Sequence, residues 1–325
     1  MNTLWIGDDD VRHLLSMAEA LEAVEEAFKQ HALGKVQMPA KIYLNFTKYG
    51  GDLRAMPAYL EEMDIAGVKI VNAHPSNPSK GLPTVMAILV LNDPSTGAPL
   101  AIMNATYLTD MRTGAAGGVA TKYLARKDSR VMGIIGAGRQ ARTQLLAVTE
   151  VADIERVKVS SRTIEDASKF VDEMRAVVDV DMEACSVEEA CDCDVLSTTT
   201  PVRKPVVKEE WIREGTHINA IGADAEGKQE LEPGILKKAK IFVDDMAQAT
   251  HSGEVNVPLS EGLLSVEHIE GEIGEVIAGI LRGRTKRDEI TIFDSTGLAI
   301  QDVAVGRLVY KKALKKGLGR RLESF

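Results

Sequence analysis

The sequence predicts an α/β protein, in which a doubly wound parallel sheet is combined with a second, discontinuous α+β domain. Three observations carry that expectation. From residue 131 onward short apolar runs alternate with helical stretches, the rhythm of a parallel sheet covered on both faces. Before residue 105 strand-like runs follow one another with little helix between them, which suits an antiparallel or mixed sheet. Beyond the last apolar run a long amphipathic segment, "GLAIQDVAVGRLVYKKALKKG", remains free to return to the first domain. The expected boundaries are 1–115 plus 299–325 for the first domain and 116–298 for the parallel-sheet domain.

Taken in order, the first clear element is a helix. Ser16 and Glu19 stand in capping-box relation, Met17, Leu21, Val24, Phe28 and Ala32 recur at helical spacing, and Gly34 supplies a stop. Strands follow at "IYLNF" (42–46), "GVKIV" (67–71), "TVMAILVL" (84–91) and "PLAIMN" (99–104). The last two flank "NDPSTGA" and read as a hairpin. "RTGAAGGVATKYLA" reads as a helix from about Thr113. Glycine costs helix propensity, roughly 1 kcal/mol against Ala, and is tolerated where a backbone or ligand must come close. Then come "VMGII", a helix, "VKVS", a helix from Ile164, "DMEAC", "DVLSTTT", a helix, "HINAI", a helix and "IFVDD". A helix-rich stretch precedes "ITIFD" at 290–294.

Composition narrows the function classes. The 325 residues are 45% hydrophobic, enough for a substantial core, and the net charge of −9 argues against gripping nucleic acid, which needs concentrated Lys and Arg. The basic run "YKKALKKGLGRR" (310–321) reads as the solvated face and end of a terminal helix. No run approaches the roughly twenty apolar residues of a membrane span, and the first residues lack a signal-peptide pattern. Cys185, Cys191 and Cys193 do not have zinc-site spacing and suit reduced thiols; no metal is expected. A soluble cytoplasmic protein is the expectation.

"MGIIGAGRQA" (132–141) holds the sharpest local signal. Gly136, Gly138 and Ala141 fit G-x-G-x-x-[GA] between an apolar strand and a helix. Gly136 permits the turn, Gly138 lets a pyrophosphate approach the backbone, and Ala141 allows helix and strand to pack closely. The helix N-terminus then faces the negative charge. The reading is a Rossmann-type dinucleotide cradle. An NAD site usually carries Asp or Glu about twenty residues further on. Here "VKVSSRT" places Ser160 and Ser161 there, with Arg162 next, so the expectation is NAD or NADP with a leaning to NADP(H).

Several charges sit where solubility does not need them. Lys69 interrupts an apolar strand, Arg54 precedes Pro57, Arg112 precedes the glycine-rich helix, and Lys41 lies in "MPAKIYL". Asp224 follows "HINAIGA" at the carboxyl end of an expected parallel strand, where open α/β sheets bind ligands. With "GDLRAMPA", "GVKIVNAHPSNPSKGLPTVMA", "TDMRTGAAGGVATKYLARK", "IGAGRQA", "LSTTTP", "HINAIGADAEGKQEL" and "FDSTGLAIQDVA", the chain resembles the ornithine cyclodeaminase/μ-crystallin family along nearly its whole length. Within that family it is most similar to archaeal members that oxidise L-alanine.

The resemblance implies a homodimer in which the discontinuous domain serves substrate binding and dimerisation. It implies Lys69 and Asp224 as catalytic residues, and Lys41, Arg54, Lys69 and Arg112 as substrate-binding residues. Cofactor contacts would come from Thr84, Arg112, Thr113, Gly136, Gly138, Arg139, Gln140, Ala141, Ser161, Arg162, Thr163, Thr199, Asp224, Lys228 and Ser295. The serines at 160–161 depart from the acid carried by NAD-using members of similar sequence. The implied reaction is reversible oxidative deamination of L-alanine to pyruvate and ammonium with NAD or NADP. Arg54 and Arg112 would clamp the carboxylate, and Asp224 and Lys69 would divide the proton transfers. Ornithine cyclodeamination, ketimine or imine reduction, and non-catalytic NADP binding are the alternatives. Of the histidines, His74 in "NAHPSNP" is the one that stands nearest to a functional setting.

Overall fold

The computed structural model describes residues 2–323. Its backbone divides into two units: one is built from the chain up to Arg112 and the segment from Leu298 on, the other from Thr113–Gly297. Among the described residues, no helix is long and apolar enough to cross a membrane.

The first unit is a mixed sheet. Its strands are β1 (Asn2–Ile6), β2 (Val36–Gln37), β3 (Ile42–Phe46), β4 (Gly51–Leu60), β5 (Ile65–Ala73), β6 (Val85–Asn92) and β7 (Pro99–Asn104), with Arg320–Glu323 as the last strand of the chain. From the edge formed by that last strand the order is β1, β7, β6, β5, β4, β2, and β3 also pairs with β4. Among the described residues of this unit, only β1 and β7 run parallel. The β6–β7 connection is the expected hairpin. Asp93 N–H donates to Ala98 O at 2.9 Å, and the Asp93 carboxylate accepts from Ser95 N–H at 2.9 Å.

Four strands of this unit depart from the reading of the sequence: β1, β2, β4 and the last strand. β1 is short and its pattern slight. β4 contains Gly51 and Pro57, which argue against a strand. Pro57 nevertheless fits, because β3 pairs with residues 51–55 and β2 with 59–60, leaving a gap on one side of β4 at the proline.

Helices cover one face of this sheet. Met17–Ala32 begins with the expected box: Ser16 Oγ donates to Glu19 Oε2 at 2.7 Å, and Glu19 N–H donates to Ser16 Oγ at 3.4 Å. Ala299–Lys316 returns to the sheet and packs on β4, β5 and β6. Its Lys312 is not merely solvated: Nζ reaches both Glu19 oxygens, at 2.6 and 2.7 Å, tying the last long helix to the first. The helix ends at Gly317 (φ 67°), and residues 320–323 pair with β1 instead of trailing in solvent.

The opposite face is apolar too. On β5, β6 and β7 the buried alternation includes Val71, Ala87, Leu89, Leu91, Ala101 and Met103. The other alternation places Val68 opposite Val90 and Val90 opposite Ile102, with Ile70 opposite Ile88. Of those five residues Val68, Ile70, Val90 and Ile102 are only partly buried, and Ile88 is 40% exposed.

The second unit is an all-parallel sheet of eight strands: β8 (Val131–Ile135), β9 (Arg156–Ser160), β10 (Asp181–Ala184), β11 (Val195–Thr198), β12 (His217–Ala220), β13 (Lys240–Val243), β14 (Ile269–Glu272) and β15 (Thr291–Asp294). The order is β10-β9-β8-β11-β12-β15-β13-β14, so its direction of winding reverses between β8 and β11. Apolar clusters fill the space under the helices, and Cys191 and Cys193 belong to one of them. Burial pushes the Cys191 thiol up to about 12, which makes it an inert packing group.

The helix expected between β11 and β12 is absent. Residues 199–216 hold only the single turn Glu209–Trp211, because Pro201, Pro205 and the paired valines keep the chain extended. The glycine-rich helix begins at Thr106, not Thr113. What its glycines admit is another helix: a Cβ on Gly114 or Gly117 would run into Thr143 or Gln144 of Arg139–Val151.

Candidate active site

In the first unit the sheet and the returning helix bury a set of charges. Lys69, on β5, faces the helix side and is only 1% exposed. Its Nζ lies 2.7 Å from Asp302 Oδ2, on the helix. Arg112 donates from Nε to Asp302 Oδ1 at 3.0 Å and from Nη1 to Gln301 Oε1 at 2.8 Å. Gln301 Oε1 also accepts from Leu298 N–H at 3.1 Å, which fixes the amide. One buried carboxylate thus serves two cations.

Arg54 lies on the same side. Met56 pairs with Lys69 across the strands, and Arg54, two positions earlier, points to the same face. Arg54 Nη2 is 3.0 Å from Asp52 Oδ2, and its guanidinium lies 5.4 Å from the centre of the Tyr43 ring. Lys41 is near enough for its charge to act on Lys69. Burial first, then the Arg112 charge, pull the Lys69 ammonium down to about 7, against the opposing pull of Asp302. A lysine that exchanges its proton near neutrality, amid excess positive charge, suits a small carboxylate with a proton to trade.

Asp302 and Gln301 were invisible as site residues in the sequence. They lie in "AIQDVA", where acid and amide read as the polar edge of an amphipathic helix. Only the fold brings Asp302 to Arg112, 190 positions away.

The second unit provides the glycine loop. Gly136 follows β8 with φ +105°, a backbone that L-residues avoid, and a Cβ there would meet Thr199 Oγ1 at 2.6 Å. Around the Cβ position of Gly138 nothing lies within 4 Å, so the loop keeps open space where a pyrophosphate would approach. Gly138 is also the N-cap of Arg139–Val151 and offers no side-chain partner to the first-turn N–H groups. They and the helix dipole face an anion unopposed. Arg142 braces the turn from within, donating to Ala137 O at 2.9 Å and Gly138 O at 2.8 Å. Ala141 is fully buried. These residues fit a nicotinamide dinucleotide.

Around the loop, Thr199 Oγ1 donates to Ile135 O at 3.1 Å, holding the segment after β11 beside the end of β8. A cavity of about 310 Å³ opens on Ala137, Gly138, Arg142, Ser161 and Lys169. Arg162 is exposed beside it in sequence, and Thr163 caps the next helix by accepting from Asp166 N–H at 3.2 Å. Gln140 accepts from Thr143 Oγ1, and Arg139 is exposed. Asp224 and Lys228 form an ion pair in the loop after β12. Ser295, at the end of β15, donates to Asp244 Oδ2 at 3.4 Å. Thr113 O accepts from Gln144 Nε2 at 2.9 Å.

Thr84 belongs to the first unit, where its carbonyl accepts from His74 N–H at 2.8 Å. His74 stacks on Phe46, with ring centres 5.9 Å apart, and its ring crowds Gly51; this is a packing role. His217 is fully buried, with ring nitrogens 3.0 Å from Thr291 Oγ1 and 3.1 Å from Asn219 Oδ1, and burial holds its pKa down at about 3.

Comparison with known proteins matches this arrangement over the full length. The model of the ornithine cyclodeaminase/mu-crystallin family covers residues 2–317. Alanine dehydrogenase of Archaeoglobus fulgidus is 59% identical over 327 aligned residues, covering 100% of this chain and 99% of that protein. The solved structure of an archaeal alanine dehydrogenase dimer with bound NAD has TM-score 0.97 and 58% identity, with 100% of each chain covered. Thermococcus litoralis Delta(1)-pyrroline-2-carboxylate reductase, in complex with NADH and L-proline, has TM-score 0.96 and 44% identity, covering 98% of this chain and 100% of that one. The buried basic cluster, the glycine loop and these full-length matches agree, and the chain belongs to the ornithine cyclodeaminase/mu-crystallin family.

Proposed function

We propose that the protein is an NAD(P)-dependent amino-acid dehydrogenase that interconverts L-alanine with pyruvate and ammonium. The observation that carries this reading is the buried group of Lys69, Arg112 and Asp302, where two cations share one carboxylate and Lys41 adds further positive charge. A small carboxylate substrate supplies the missing negative charge. The identity to an alanine dehydrogenase along the whole chain supports the choice of amino acid.

Gly136, Gly138 and the N-terminus of Arg139–Val151 would hold the dinucleotide, which would supply a hydride acceptor for the substrate Cα. The chain's own residues do the rest. Arg112, its Nε edge already fixed by Asp302, holds the substrate carboxylate together with Arg54 and Lys41. Fixed placement of the carboxylate orients Cα and is worth several kcal/mol of barrier. The substrate amine must be neutral before Cα loses hydride. Lys69, pulled down to about 7, and Asp224 are the groups that take and return that proton, and Asp224 orients the water that opens the imine.

Ser161 and Arg162 support acceptance of NADP(H) as well as NAD(H), since no carboxylate occupies the turn after β9. The doubly apolar sheet of the first unit supports a homodimer. Val68, Ile70, Met86, Ile88, Val90 and Ile102 form an uncovered face that a second copy would bury.

One panel tests the activity. Purified protein is given L-alanine, L-ornithine, L-proline, and pyruvate plus ammonium, each with both nicotinamide cofactors, and the absorbance of the reduced ring is followed. Cofactor reduction with alanine and reoxidation with pyruvate plus ammonium are expected. Proline formation from ornithine without net cofactor reduction, or activity confined to proline and its cyclic imine, would overturn the reading.

A further inference from the structure

Deeper in the second unit lies a carboxylate that the reaction does not consume. Glu230 is fully buried, and four donors converge on it: Thr198 Oγ1 at 2.8 Å, Thr200 N–H at 2.6 Å, Thr200 Oγ1 at 2.7 Å and Gly222 N–H at 2.8 Å. Those groups belong to two different segments, the end of β11 with the residues that follow it and the segment after β12. A carboxylate has about four acceptor positions, so Glu230 is saturated. None of the four donors is a cation. Burying an anion without a counter-ion is expensive, and an apolar side chain would serve stability better if packing were the only task.

We infer that Glu230 is a positioning residue for the cofactor-binding edge of the parallel sheet. It buckles the two segments together, holding Thr199 against the glycine loop and fixing the backbone that carries Asp224. The inference rests on reading Gly136–Ala141 as a dinucleotide site.

The geometry on either side of the buckle supports it. Thr199 lies between the two threonines that Glu230 holds, and its hydroxyl bonds to Ile135 O, one residue before Gly136. The turn at Gly136 and the 199–200 segment are in close contact: a Cβ on Gly136 would lie 2.6 Å from Thr199 Oγ1 and 3.1 Å from Thr200 Cγ2. Any sliding of 198–200 therefore acts on the loop directly. On the other side, Gly222 bonds Glu230 and approaches the Thr200 backbone so closely that a Cβ could not be placed between them. Asp224 is two residues away, and Asp224 N–H donates to Gly222 O at 3.2 Å. The far end of the same loop is pinned by Asn256, which accepts from Gly227 N–H at 2.9 Å and donates to Lys228 O at 3.0 Å.

Glu230 is itself held. Its backbone N–H donates to both Glu254 oxygens, at 2.9 and 3.0 Å, and Leu231 N–H donates to Glu254 at 2.7 Å. Burial pushes both carboxyls up, Glu254 further because the Glu230 charge adds to it, while the four donors oppose the rise at Glu230. The edge so braced is the point where strand order reverses between β8 and β11, the place where doubly wound sheets bind ligands.

Glu230→Gln and Thr200→Val test the inference in the full-length protein, with NADH binding measured by fluorescence, thermal midpoint measured without cofactor, and steady-state kinetics. Gln presents an amide N–H₂ to groups that are all donors. It is expected to raise the Kd for NADH about tenfold or more, because one end of the side chain no longer accepts from the donors around it. Thr200→Val removes one neutral donor and is expected to weaken NADH about threefold, with the thermal midpoint lowered by only a few degrees. The KM for alanine, set by the first unit, is expected to move less than the KM for the cofactor in both variants. Wild-type NADH affinity in both, or a Kd that rises only as far as the thermal midpoint falls, would overturn the inference. Failure of the unsubstituted protein to bind either reduced cofactor would instead overturn the dinucleotide reading.

Discussion

Lys69 and Arg112 are both buried and share Asp302, and removing that carboxylate leaves them without a counter-ion. Asp302→Asn is therefore expected to cost about 3 kcal/mol or more of unfolding free energy in urea titrations. It should also lower the Lys69 pKa further, because Asp302 is the group that raises it. If neutral Lys69 is the base, the rate of alanine oxidation rises with pH through about 7 in the wild type. The same limb should lie at lower pH in Asp302→Asn, as read from the pH dependence of kcat/KM. Lys69→Ala should reduce kcat about 100-fold or more; near-normal kcat with a raised KM would confine Lys69 to carboxylate binding. A second titration belongs to Asp294, which burial raises to about 8. Folded protein keeps that proton where unfolded chain has lost it. This contribution to stability is full below pH 3.8 and lost progressively as pH rises to about 8. Asp294→Asn should therefore gain on the wild type between pH 6 and pH 8 in denaturant midpoints.

Among the elements, the glycine turn separates folding from binding. A Cβ at Gly138 points into open space, so Gly138→Ala should keep the wild-type thermal midpoint and weaken NADH, which isothermal titration would read. Gly136→Ala meets both a positive φ and Thr199, and should lose stability by about 1 kcal/mol or more as well as affinity. This turn was legible in the sequence because its information is local: strand, two glycines, a small residue and a helix in ten positions. The capping box at Ser16 and the hairpin at Asp93 were legible for the same reason. β4 was not, since Pro57 is permitted only by a gap between two neighbouring strands, a fact of pairing and not of composition. Asp302 and Glu230 escaped too. Each reads as a surface acid in its own helix or loop, and each acquires its meaning from partners that the fold brings in from elsewhere.

For the whole molecule, the first unit's sheet poses a question of cover. Ile70 and Ile88 face each other across β5 and β6 on the side away from the helices, with Val68, Val90 and Ile102 beside them. Such a surface on an isolated chain would favour association. Ile88→Asp is expected to shift the protein from dimer to monomer in sedimentation velocity, while a change at exposed Ile164 should leave the oligomer intact. Persistence of a dimer in Ile88→Asp would move the interface elsewhere.

The segment from Leu298 on, which supplies both the covering helix and Asp302, has a temporal consequence. During synthesis, the stretch 113–297 leaves the ribosome complete, whereas the amino-terminal sheet, made earlier, still lacks its lid and the counter-charge of Lys69 and Arg112. A chain ending at Gly297, tethered to the ribosome by a linker long enough to clear the exit tunnel, should thus protect the nucleotide-binding half from protease and leave the half translated first open to cleavage. The part of the protein born first matures last.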